Sequence, residues 1–150
     1  AFVINRRTIP DSYTSPDQLS AMYKEQGLPH PGYDCFVFKK DLYAQFIVGD
    51  VCIGTGQVDT PLVCSMIAAA NKFGEFTDEH LTFHIGDSRQ WLKWRYRDYF
   101  FHNCREASVS IRALLQGKAK QLPARGRILL WLRLPKNTVM IPMIKRLFSQ

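Results

Sequence analysis

Apolar residues at 62, 63, 66, 67 and 70 make one face of a helix. Thr60-Pro61 supplies a cap and a proline at its start, and Gly74 is placed to end it, so the spacing predicts a helix over 61–73. Ser15-Pro16 repeats the same start before Asp17 to Tyr23, a second predicted helix ending at Gly27. A third runs from 95 to 116, with Tyr96, Phe100, Phe101, Cys104, Ala107, Ile111, Leu114 and Leu115 at helical spacing and Gly117 as its stop. Apolar and β-branched runs predict strands at Cys35 to Lys39, Leu42 to Val48, Leu81 to Ile85 and Arg127 to Leu134. The first two of these, joined by Lys40-Asp41, read as a hairpin. Phe2-Val3-Ile4 is a short apolar opening, followed by Arg6-Arg7 and a loop rich in Pro, Asp and Ser, and residues 27–32 read as a turn or loop. Neither a repeat nor a linker interrupts the pattern. The expectation is a single α+β domain over 1–150, with a mixed or antiparallel sheet packed by helices.

Composition narrows the class. The chain has 150 residues, 46% hydrophobic and 22% charged, which suits one cored domain and excludes a disordered or collagenous chain. Its apolar runs, such as Ile128 to Leu132 and Met66 to Ala70, fall far short of the roughly 20 residues that cross a bilayer. A soluble, cytoplasmic protein with no membrane partner is the expectation, and the opening Ala1 fits a processed product or a piece of a longer protein. Cys35, Cys52, Cys64 and Cys104 lie far apart without a CxxC pair and read as reduced thiols. Charge is uneven: residues 1–106 hold 11 Lys/Arg and all 13 Asp/Glu, whereas 107–150 hold nine Lys/Arg and no acid. The net charge of +7 therefore splits as −2 and +9. An acid-free basic segment suits a phosphate-bearing partner or forms a solvated basic face.

Several stretches, taken in order, resemble the thymidylate synthase superfamily, which includes the pyrimidine hydroxymethylases. They are Arg6-Arg7, a Pro-rich turn before Phe36-Val37-Phe38, Asp50-Val51-Cys52-Ile53-Gly54, the amphipathic helix 61–73, and His84-Ile85-Gly86-Asp87-Ser88-Arg89-Gln90-Trp91. The resemblance spans roughly Arg6 to Leu134 and rests on order and spacing. It implies a thymidylate-synthase-like fold, a homodimer, a pyrimidine-nucleotide ligand and, for an active enzyme, one-carbon transfer to the pyrimidine C5 from a reduced folate such as methylenetetrahydrofolate. It assigns the nucleotide phosphate to Arg6 and Arg7 and places Asp50 in the nucleotide site.

The chain departs from that family at its chemistry. Ile47 and Val48 stand where the family has a phosphate-binding Arg and a Ser, and the family's nucleophilic Cys falls on Gly32. Cys35, three positions on, is the nearest thiol. It faces the other side of a regular strand unless a bulge intervenes, and otherwise serves as a buried structural residue. Asp59, one position from the family's base-reading Asn, suits a cytosine edge, because a carboxylate accepts from the exocyclic amine; it equally suits a cap for the helix at Pro61. Arg89 and Trp91 replace the sugar-binding His and Tyr. Arg89 can take a phosphate, and Trp91 either stacks on a base or packs in the core.

Other patterns carry less. His80 and His84 with Glu79 and Asp87 lack a third ligand at a known spacing, so no metal is expected. Gly54-Thr55-Gly56 is a turn without the lysine of a phosphate loop. Lys93-Trp94-Arg95-Tyr96-Arg97 interleaves cations with aromatics, a pattern that grips nucleic acid or packs on a helix. The alternative function is a non-catalytic scaffold that binds nucleic acid or a partner protein through 107–150. An enzyme predicts that Arg6, Arg7, Asp50, Asp59 and Arg89 converge on one pocket; a scaffold permits them to scatter.

Overall fold

The computed structural model describes residues 1–77, 79, 81–86, 94–117 and 122–134. In chain order its elements are strand β1 (Phe2–Ile9), a 3-10 turn (Pro16–Gln18) running into helix α1 (Leu19–Met22), strand β2 (Leu28–Val37) and helix α2 (Lys40–Tyr43). Then come α3 (Thr60–Ala69), β3 (Gly74–Phe76), β4 (Thr82–Ile85), a 3-10 turn (Trp94–Tyr96), α4 (Arg97–Gln116) and α5 (Ala124–Leu132). The domain is α+β with a mixed sheet. β1 lies at its centre: β2 pairs antiparallel along one edge, and β3 and β4 pair parallel along the other, β3 against Phe2 to Ile4 and β4 against Arg6 to Ile9.

Strand alternation sorts the side chains of β1 onto two faces. Val3 is fully buried in a core with Val63, Cys64, Met66 and Ile67 of α3, Ile111 and Leu114 of α4, and Leu130 of α5. Its register partner Phe36 packs against the same core. Phe2 takes the opposite side, where its ring meets Phe76 edge-on at 5.5 Å.

Three expected elements change identity. The run 42–48 is not a strand: α2 brings Tyr43 and Phe46 against Phe38, with ring centroids 4.9 to 6.3 Å apart, and this aromatic cluster turns the chain back on itself. Ile47 finds its partner outside the sheet, since the fully buried Ser65 hydroxyl accepts its N–H at 2.9 Å and donates to its C=O at 3.1 Å. The run 127–134 is likewise not a strand: it lies in α5 as far as Leu132, and burial at 126, 129, 130, 133 and 134 follows a helical period that a continuous apolar run hides. The supposed loop 27–32 opens β2, where Pro29 and Pro31 are tolerated on a strand that pairs along one edge among the described residues.

The capped starts are as expected. Ser15 and Gln18 form a reciprocal capping box with Pro16 at the first helical position, and Pro61 opens α3. α3 is covered almost all round, with Val63 to Ala68 buried, so it is a core helix rather than a surface one. Its Gly74 begins β3 instead of capping the helix.

The long connection between α2 and α3 is pinned by polar side chains under it. Asn103 of α4, fully buried, accepts from the Cys52 N–H at 2.7 Å and donates to the carbonyls of Cys52 and Gly56 at 2.9 and 3.0 Å. Glu106 accepts from the Asp50 N–H at 3.2 Å. Asn103→Ala strands three backbone groups, each costly to leave unpaired, and is expected to lower stability by about 2–4 kcal/mol in urea unfolding. A loss no larger than that of an exposed substitution such as Gln116→Ala would show that the connection does not depend on this residue.

Candidate functional site

Sequence expectation placed chemistry along β1, β2 and the start of α3, and these elements meet at β2. Arg6 crosses from β1 to β2: its Nε donates to His30 Nδ1 at 3.0 Å and its Nη1 to Asp34 Oδ1 at 2.7 Å. The Gly32 N–H donates to the same His30 nitrogen at 3.0 Å. Two donors on Nδ1 require its lone pair, so that nitrogen carries no proton.

This arrangement explains Gly32. A Cβ there would lie 3.2 Å from His30 Nδ1 and 3.4 Å from Arg6 Nη2. Where the family resemblance puts a nucleophile, a side chain would press on the imidazole and the guanidinium. Cys35 does meet the bulge that its odd offset demanded. Ile4 pairs with Cys35 and Asn5 with Tyr33, leaving Asp34 as the extra residue. The bulge aims Asp34 at Arg6, while Cys35, opposite Ile4, lies on the sheet face away from the helices.

Asp59 precedes α3 but does not cap it through its side chain. Burial raises its pKa, while hydrogen bonds from its own N–H and that of Tyr33, then the charges of Arg133 and Arg6, act the other way. Tyr33 is raised as well, first by burial; the Arg133 charge opposes this, and Glu75, which accepts from its hydroxyl, adds to it. Arg133, at the end of α5, pairs with Glu75 of β3. Five separate segments therefore place Arg6, Tyr33, Asp59, Glu75 and Arg133 in one electrostatic neighbourhood.

The remaining expected residues go elsewhere. Arg7 faces the other side of β1 and fastens the turn before β2, donating to the carbonyls of Gln26 and Gly27 at 2.5 and 3.0 Å. Asp50 lies over α4, where its carbonyl sits 2.6 Å from His102 Nε2. Arg89 and Trp91 fall outside the described residues, as do His80, Asp87, Lys93, 118–121 and 135–150. Among the described residues, no group of three His, Cys, Asp or Glu side chains could hold a metal. The expected set thus converges only in part: the charge of Arg6 reaches Asp59, whereas Arg7 and Asp50 serve other segments. His30, Asp34, Tyr33, Glu75 and Arg133 carried no motif and are joined by register and packing alone.

Two outcomes follow from the site's electrostatics. Because folding raises the Asp59 pKa, the native state holds its proton more tightly; that contribution is fully present below the ordinary carboxylate pKa and is lost as pH rises through the raised value. Asp59→Asn removes the penalty, so the variant is expected to gain stability relative to the parent between acid and neutral pH in urea unfolding, and a relative fall would contradict the assignment. Burial also pushes the Cys64 thiol up to about 12 and that of Cys104 to about 11. Iodoacetamide at neutral pH is expected to label the half-buried Cys35 and Cys52 well before either, as read by mass spectrometry of the native protein.

No family model matches the chain, and neither a curated protein nor a solved structure matches it.

Proposed function

We propose that the chain is a divergent thymidylate-synthase-like domain that binds a pyrimidine nucleotide at the neighbourhood of Arg6, Tyr33 and Asp59. The observation that carries this reading is geometric: Arg6 spans β2 to reach His30 and Asp34, next to Tyr33, whose backbone N–H bonds Asp59. A carboxyl beside two guanidiniums offers both halves of nucleotide recognition. Asp59 accepts from the exocyclic amine of a cytosine-type base, and Arg6 takes the phosphate in exchange for Asp34. The Asn5 side-chain oxygen, next to Tyr33 across the β1–β2 ladder, supports the same reading. It is buried with no hydrogen-bond partner among the described residues, so it is available to a ligand donor.

The reading stops at binding. A C5 transfer through a covalent intermediate needs a thiolate beside the base, and the position that the resemblance gives it is Gly32, which carries no thiol. The proposal includes no step through a folate. The homodimer belongs to the proposal on the resemblance alone.

A second reading, a non-catalytic scaffold for nucleic acid or a partner protein, is favoured by the structural use of Arg7 and Asp50 and by the exposure of Arg112, Arg125 and Arg127 in the acid-free segment.

Thermal stabilisation by a panel of pyrimidine monophosphates separates the two. A cytidine monophosphate is expected to raise Tm more than a uridine monophosphate does. Arg6→Ala should abolish the shift, and Asp59→Asn should reverse the preference. No response to any monophosphate, with a salt-sensitive response to a single-stranded oligonucleotide, would replace the nucleotide pocket with the scaffold.

A further inference from the structure

Helix α5 has two apolar faces. Gly126, Leu129, Leu130, Arg133 and Leu134 turn toward the protein, with Leu130 fully buried and Arg133 paired to Glu75. At 3.6 residues per turn, Ala124, Ile128, Trp131 and Leu132 share the opposite side. They are exposed: Ile128 is 57%, Trp131 55% and Leu132 61% accessible. Arg127 lies on one flank of this stripe and Arg125 on the other, both exposed. No core requires large aliphatic side chains on the outer side of a helix whose inner side already serves the core.

We infer that the outer face of α5 lies on an anionic lipid surface. An aliphatic and tryptophan stripe between two arginines is the composition of a helix that rests in a membrane interface, where side chains enter the acyl boundary and guanidiniums meet headgroup phosphates and carboxylates. Charge complementarity favours this occupant, since the exposed Arg125 and Arg127 flank the stripe and α5 carries no acid to repel anionic headgroups. The centre of the stripe argues against nucleic acid, which offers phosphates to the arginines but little to Ile128 and Leu132. No helix among the described residues is long and apolar enough to cross a membrane, and a helix lying in the interface needs no such span. The surface is separate from the proposed nucleotide site and does not rest on it.

Co-sedimentation of the whole chain with vesicles tests the assignment, using phosphatidylcholine alone and phosphatidylcholine containing phosphatidylserine. Binding is expected only to the anionic vesicles and to weaken with salt. The double substitution Arg125→Gln with Arg127→Gln should weaken it about thirtyfold. The double substitution Ile128→Ser with Leu132→Ser should weaken it at least about tenfold, with Tm in the absence of lipid unchanged. Four results would overturn the proposal: no binding to anionic vesicles; full binding by the serine variant; a single-stranded oligonucleotide bound through the same arginines in place of vesicles; or a lower Tm, or loss of a dimer, in the serine variant without lipid. The last would show that this chain or a second copy covers the face. Arg6→Ala should leave vesicle binding intact, so the nucleotide and lipid readings fail independently.

Discussion

Phe2–Ile9 is the strand to which every other described strand is hydrogen-bonded. Its eight residues carry β2 along one edge and two short parallel strands end to end along the other. Neither β3, three residues long, nor β4, four residues long, has enough of its own ladder to stand alone. Both depend on a strand whose Val3 and Ile9 are buried and whose register is thereby fixed, because a slip of one residue would turn Arg6 and Thr8 toward the side now taken by Val3 and Ile9. That register also decides which arginine reaches the candidate site. Arg6 and Arg7 are adjacent, so they point to opposite faces; one meets His30 and Asp34, and the other ties down a turn.

The bulge at Asp34 acts on the same constraint. By adding one residue to β2 between Tyr33 and Cys35, it lets Tyr33 pack against the helical core while Asp34 meets Arg6. Asp59 then sits where burial raises its pKa while backbone hydrogen bonds and the Arg133 and Arg6 charges oppose the rise. A carboxyl in such a setting is a marker of functional sites as well as of structural ion networks, and here the orphaned Asn5 oxygen nearby adds weight to the first.

Buried polar side chains do a second kind of structural work. Ser65 and Asn103 contribute no apolar area, yet each answers backbone groups that the irregular connection between α2 and α3 leaves unpaired. A connection of that length without strands of its own holds its shape because α3 and α4 supply the missing partners.

The sequence by itself determined the elements that local chemistry dictates. Ser15-Pro16 and Thr60-Pro61 announced helix starts, the period-3.6 spacing over 95–116 marked α4, and the run Cys35 to Lys39 marked the end of β2, whereas its pairing with β1 carried no local signal. The apolar runs 42–48 and 127–134 misled, since a continuous run has no period and either conformation buries it. Only the tertiary structure decided that Phe38, Tyr43 and Phe46 would cluster, that α5 would keep one apolar face inward and another outward, and that Glu75 and Arg133 would join Tyr33 and Asp59. Those outcomes come from contacts between distant segments, whose energies depend on register and packing rather than on any residue's own neighbours in the chain.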